Sequence, residues 1–94
     1  MRNYEVIYII DPNKTDEESE EIINKFQQIV TSTNGKVESL EKWGRKKLSF
    51  VIGKESKGNY VFMKISCEPK TIDELVRNFK INDSIIRHLV TKAE

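Results

Sequence analysis

The chain is poor in the residue types that build catalytic and metal sites. Its 94 residues include one cysteine and one histidine, together with only four glycines and two prolines. Cys67 has no second cysteine to pair with in a disulfide, zinc or iron–sulfur site, and we interpret it as a small apolar residue near a strand end. His88 has no Cys, Asp or Glu at ligand spacing, so the sequence predicts no metal site and no metal cofactor.

Long apolar segments are also missing. The longest apolar run covers residues 6–10, far short of the roughly 20 residues that a membrane-spanning helix needs. No secretory signal pattern precedes the first strand pattern, and a lone thiol suits a reducing compartment, so we expect a cytoplasmic protein without a membrane partner. With 37% hydrophobic and 33% charged residues, the chain is expected to fold as one domain over residues 1–94.

The hydrophobic periodicity divides the chain into six segments. Alternating patterns predict strands at residues 2–10, 36–52, 59–67 and 84–91, with a bulge near Gly44 where the alternation slips. Apolar stripes at helical spacing predict helices at residues 15–31 and 71–80. Each helix begins with a capping-box pattern, Thr15 with Glu18 and Thr71 with Glu74. Asn34 and Gly35 end the first helix, and residues 53–58 are predicted to form a polar hairpin turn.

The order βαββαβ predicts an α+β fold of the ferredoxin-like, split β-α-β type. Right-handed crossovers would interleave the two units into a four-stranded antiparallel sheet with both helices on one face. The second strand then lies at an edge of the sheet, and the other sheet face is free of helices. Many unrelated activities share this fold, so the fold alone does not decide the function.

The sequence argues against an enzyme. The loop after the first strand, residues 11–14, has no glycine and begins with Asp11, so it would not bind an acyl phosphate or another anion. Asp73 and Glu74 are better interpreted as partners of a helix dipole than as a general acid and base. We therefore expect no catalytic residues and no small-molecule substrate.

Charge is segregated along the chain although the net charge is only +1. Residues 16–41 contain seven acidic and two basic residues, whereas residues 42–58 contain six basic residues and one acidic. Basic residues beside an aromatic are typical of nucleic-acid contacts, but lysines also solvate exposed strands and protect sheet edges. Two interpretations of Trp43 are equally well supported: it belongs to a contact surface, or it is an ordinary residue that anchors the core.

These patterns coincide with those of one family. Over nearly its whole length the chain resembles the bacterial small-subunit ribosomal protein six family. The resemblance rests on the opening residues 1–5, on residues 72–87, and above all on the block Trp43-Gly44-Arg45-Lys46-Lys47-Leu48-Ser49-Phe50-Val51-Ile52. Phe50 and Val51 stand where the family usually has tyrosine and proline, and we expect this protein to lack the acidic C-terminal tail that some members carry.

The resemblance implies a structural component of the small ribosomal subunit that needs no cofactor. Its implied partners are the central domain of 16S rRNA and ribosomal protein eighteen of the same subunit, bound as a heterodimer. The residues that we expect to contact RNA are Arg2, Lys54, Lys57, Arg87 and Lys92. Those expected to contact the protein partner are Glu41, Lys42, Trp43, Arg45, Lys46 and Lys47. The alternative is a small regulatory or ligand-binding ferredoxin-like domain that associates with itself.

Overall fold

The computed structural model describes residues 1–45 and 58–93 of the chain. In these residues the elements are β1 (Arg2–Ile10), α1 (Asp16–Ser32), β2 (Lys36–Arg45), β3 (Asn59–Cys67), α2 (Pro69–Ile81) and β4 (Ile85–Ala93). The strands form one sheet in the order β2-β3-β1-β4, and each neighbouring pair is antiparallel. The predicted ferredoxin-like fold is confirmed, and β2 lies at a sheet edge as expected.

Helix α1 begins and ends where the sequence predicts. The Glu18 backbone N–H donates to the Thr15 hydroxyl at 3.1 Å, and the Thr15 N–H donates to the Glu18 carboxylate at 2.9 Å. The hydrogen bond from the Thr15 N–H lowers the pKa of Glu18, because it favours the charged form of the carboxylate. After the helix, Asn34 adopts a positive φ of 66°. A Cβ atom on Gly35 would lie 2.8 Å from Val30, so the close approach there requires glycine.

Helix α2 begins differently from the prediction. It starts at Pro69, Glu68 is the N-cap residue, and no side chain caps the first turn. The predicted capping box of Thr71 and Glu74 is therefore wrong. Thr71 is buried inside the first turn, where its hydroxyl lies 2.7 Å from the Thr33 hydroxyl at the end of α1. Proline suits the first helical position because its fixed φ is already helical and its missing N–H has no partner to lose there.

Strand β2 departs from regular pairing with β3 at two places. The register shifts between Lys42 and Gly44, and Gly44 has a φ of 70°, which confirms the predicted irregularity near Gly44. A second shift, between Val37 and Ser39, was not predicted. The strand predicted over residues 36–52 is seen as far as Arg45; its remainder and most of the predicted hairpin turn lie outside the described residues.

An aromatic cluster fills the core between the sheet and the helices. The ring centroids of Tyr8 and Phe26 lie 5.2 Å apart, those of Tyr8 and Phe79 5.1 Å, and those of Phe26 and Phe79 4.5 Å. Cys67 is fully buried at the edge of this core, and burial raises its pKa. The interpretation of Cys67 as a packing residue is therefore confirmed.

The Tyr8 hydroxyl is buried without a hydrogen-bond partner among the described residues. Burial, and more weakly Glu20, raise its pKa far above the usual range. A buried donor without a partner costs about 1–3 kcal/mol. We expect Tyr8→Phe to leave the free energy of unfolding unchanged or to raise it by about 1 kcal/mol, as measured by urea denaturation. A loss of more than about 1 kcal/mol would mean that the hydroxyl has a partner and contributes to stability.

His88 lies opposite Tyr8 and stacks on Phe79 at a centroid distance of 5.1 Å. It is half-buried, and its pKa is lowered from 6.5, first by burial and then by Lys80. Above pH 6.5 the ring is neutral in both folded and unfolded chains. As the pH falls below 6.5, His88 takes up a proton in the unfolded chain before it does so in the folded chain. The free energy of unfolding must therefore fall.

We therefore expect the free energy of unfolding to decline as the pH falls from 6.5, down to the lowered pKa of the folded state. Denaturant titrations at closely spaced pH values would measure this decline. In His88→Gln the profile should be flat in the same window, and a decline identical to that of the wild type would assign it to other groups.

Candidate RNA and protein interface

The sheet face opposite the helices carries an apolar row that crosses three of the four strands. Side chains alternate along a strand, so the neighbours of the buried Tyr8 and Val61 project to the other face. The registers place Glu41, Phe62, Ile7 and Leu89 side by side, one from each strand in the order β2-β3-β1-β4. Phe62, Ile7 and Leu89 are half-buried. We call these three residues together with Trp43 the helix-free patch.

Trp43 is fixed over Phe62. Their rings are stacked, with centroids 5.3 Å apart and planes inclined by 16°. The indole N–H of Trp43 donates to the Glu41 carboxylate at 2.9 Å. Trp43 follows Glu41 by two residues on β2, so the alternation of side chains along the strand places both on this face. Trp43 remains half-buried and not fully covered, so it belongs to the surface and is not a core anchor.

Charged side chains of both signs border the helix-free patch. Glu5 lies opposite Lys64 across the β1–β3 pair and opposite Thr91 across the β1–β4 pair. Glu41 lies at one end of the apolar row. Arg87 precedes Leu89 by two residues on β4 and so lies on the same face. An apolar centre with a mixed charged border is typical of a surface that binds another protein.

The same face is closed near the start of β3. Ile9 and Tyr60 lie opposite each other across the β1–β3 pair, and both are fully buried. Gly58 contributes to this, because a Cβ atom there would lie 2.2 Å from the Ile9 side chain. Its φ of 149° is also in the range that favours glycine. The helix-free patch therefore begins beyond Tyr60 and Ile9 and ends toward Lys64.

Lys42 lies on the helix side of β2 and forms an ion pair with Glu20 of α1. Both side chains are half exposed, so the pair contributes about 0–1 kcal/mol. Its role is to hold the edge strand against α1, and Lys42 does not face the helix-free patch. Of the expected partner contacts, Glu41 and Trp43 lie on that face and Arg45 ends β2 opposite Asn59, whereas Lys46 and Lys47 lie outside the described residues.

The three expected RNA contacts that the structure describes, Arg2, Arg87 and Lys92, do not form one cluster. Arg2 and Lys92 are exposed on the helix side, near the start of β1. Lys92 lies opposite Tyr4, two residues along from Arg2, a diagonal separation of about 7–8 Å. Arg87 lies opposite Ile9 toward the other end of the sheet, and Lys54 and Lys57 fall outside the described residues.

Sequence reasoning missed the contributions of Ile7, Lys64 and Leu89 to this surface. The signal was present in the continuous apolar run over residues 6–10. A strand that is apolar on both faces needs another element or a partner to pack against each face.

The described residues contain no cluster of His, Cys, Asp and Glu that could hold a metal ion. Within them no helix is long and apolar enough to cross a membrane.

Comparison with known proteins assigns the chain to a family. The family described as ribosomal protein S6 matches residues 3–92. The chain belongs to the ribosomal protein S6 family. It is similar to the crystal structure of 30S ribosomal protein S6 from Thermotoga maritima, with 28% identity and a TM-score of 0.85 over 98% of this chain and 87% of that one. The resemblance found in the sequence is thereby confirmed.

More distant likenesses concern the fold alone. The C-terminal domain of the MgtC protein from Mycobacterium tuberculosis has 11% identity and a TM-score of 0.68, over 100% of this chain and 89% of that one. The P2 domain of the chemotaxis kinase CheA from Thermotoga maritima, solved with the response regulator CheY, has 10% identity and a TM-score of 0.64 over 98% of both chains. Ribosomal protein S6 thus shares its fold with proteins of other functions.

Proposed function

We propose that this member of the ribosomal protein S6 family is a non-catalytic component of the small ribosomal subunit that binds the central domain of 16S rRNA as a heterodimer with ribosomal protein eighteen. The family match over residues 3–92 carries the proposal. The helix-free patch supports it, because a surface with an apolar centre and a charged border suits a protein partner. Such a protein would act in the cytoplasm, where bacterial ribosomes are assembled.

The charge of the chain favours a shared RNA site. Affinity for RNA rises with the number of phosphates that Lys and Arg neutralise, and here the net charge is only +1, with an excess of five positive charges over residues 42–58. Few phosphate contacts are available to this chain alone. A partner that supplies further contacts would make the complex bind much more tightly than either protein does alone.

The protein partner and the RNA would use different surfaces. We place ribosomal protein eighteen on the helix-free patch, with Trp43 as its anchor and Glu41 beside it. Arg2 and Lys92 form a basic corner on the other side of the sheet, which suits phosphate contacts. Lys54, Lys57 and Arg87 remain proposed RNA contacts, and Arg45, Lys46 and Lys47 remain proposed partner contacts.

The second candidate is a regulatory or ligand-binding ferredoxin-like domain. The likeness to the MgtC and CheA domains, at 10–11% identity, concerns the fold and does not favour this candidate. Sucrose-gradient sedimentation of lysate from cells that express the tagged protein separates the two. Our proposal expects the protein to migrate with the small subunit and to leave it when the salt concentration is raised. Migration only at the top of the gradient, in low salt as well as high, would contradict it.

A further inference from the structure

The two edges of the sheet differ in how far they resist pairing with another strand. Edge strands expose unpaired backbone N–H and C=O groups, and charged residues and bulges protect them. The β2 edge has both protections. Five of its ten residues are charged, and its register shifts twice. The charged residues are Lys36, Glu38, Glu41, Lys42 and Arg45.

The β4 edge has little of either protection. Its pairing with β1 runs without a shift from Asn3 to Ile9, and the one irregularity lies at the end, between Ile9 and Ile10. Only Arg87 and Lys92 of its nine residues are ionised at neutral pH, because the lowered pKa of the half-buried His88 leaves that ring neutral. Ile86, an exposed large apolar residue at 38% exposure, lies near its start. The regular part of this edge, the seven residues from Arg87 to Ala93, is long enough to bind another strand.

We propose that β4 pairs with β4 of a second copy of this chain, antiparallel, about a two-fold axis at Leu89. Leu89 is the central residue of Ile85–Ala93, so this register uses the full length of the strand. It places Arg87 of each copy opposite Thr91 of the other, and Ile86 opposite Lys92. No two like charges face each other, and the aliphatic stem of Lys92 covers the exposed Ile86.

A second copy fits this edge better than an unrelated strand does. The same residues meet on both sides of a two-fold axis, so the interface closes on itself. The protected β2 edges would then be the outer edges of the joined sheet, and growth stops at the dimer. An unrelated strand would have no such symmetry and would not close the sheet at a dimer. This inference concerns the free protein and does not rest on the proposed function.

Analytical ultracentrifugation of the purified protein, from micromolar to millimolar concentration, tests the proposal. The wild type should shift from monomer to dimer as its concentration rises. In Thr91→Lys each new lysine lies opposite Arg87 of the other copy, twice per dimer. Like charges directly opposite are destabilising, so we expect the dissociation constant of the dimer to rise about tenfold.

Two further variants test the register itself. Thr91→Gln has a long side chain without charge and should leave the dissociation constant within about twofold of the wild-type value. Adding Arg87→Glu to Thr91→Lys sets opposite charges face to face and should restore or tighten the dimer. Circular dichroism at low concentration should confirm that every variant is folded. A wild type that stays monomeric overturns the proposal, as does a Thr91→Lys variant that dimerises like Thr91→Gln.

Discussion

Replacing Trp43 with alanine should weaken binding to ribosomal protein eighteen by about 2 kcal/mol or more, which is roughly a thirtyfold loss of affinity. Trp43 lies half-buried on the helix-free face, stacked on Phe62 and hydrogen-bonded to Glu41. A large aromatic that is already held in one orientation loses little entropy on binding. Isothermal titration calorimetry of the purified proteins measures the effect.

Two controls separate binding from folding. Trp43→Phe retains a ring that can stack on Phe62 and should lose much less affinity than Trp43→Ala. In Trp43→Ala the free energy of unfolding should fall by much less than the free energy of binding, because Trp43 is not part of the buried core. Normal binding together with a strongly lowered melting temperature would show instead that Trp43 acts in folding and that the partner binds elsewhere.

Phe79→Ala should lower the free energy of unfolding by about 3–5 kcal/mol. Phe79 is 2% exposed and contacts Tyr8, Phe26 and His88 at centroid distances between 4.5 and 5.1 Å. Truncating it removes a central member of the cluster and leaves a cavity between α2 and the sheet. Since a domain of this size is stable by about 5–15 kcal/mol, much of the protein could be unfolded without denaturant.

Urea denaturation followed by circular dichroism measures this loss, and helix α2 provides a matched control. Ile81 ends the same helix but is 70% exposed, so Ile81→Ala should change the free energy of unfolding by no more than about 0.5 kcal/mol. A Phe79→Ala variant as stable as Ile81→Ala would mean that the aromatic cluster does not hold α2 against the sheet.

The fold could be predicted from the sequence because its local signals agree with one another. The capping box at Thr15 and the helix end at Asn34 and Gly35 correctly predicted the bounds of α1. The alternation of apolar residues correctly predicted β1 and β3. At α2 the pattern of Thr71 and Glu74 predicted the wrong start, because the helix begins at Pro69. The Thr71 hydroxyl instead contacts the hydroxyl of Thr33, the C-cap residue of α1. That contact joins residues distant in the chain, so no local pattern reveals it.

The candidate site was predictable only in part. Trp43 stood out by its residue type, but its stacking on Phe62 depends on the pairing of β2 with β3, which brings together residues that are distant in the chain. Lys42 and Trp43 belong to one charged block, yet Lys42 pairs with Glu20 on the helix side. Ile7 and Leu89 join the surface only through the pairing of β1 with β4, which is a property of the whole sheet.

The most direct test of the proposed function is a gel-shift titration of the central domain of 16S rRNA at near-physiological salt, with and without ribosomal protein eighteen. A net charge of +1 supplies few phosphate contacts, so the protein alone should bind weakly and the pair should bind far more tightly. Tight binding that does not depend on the partner would contradict the shared RNA site, and no binding even with the partner would contradict the proposed function.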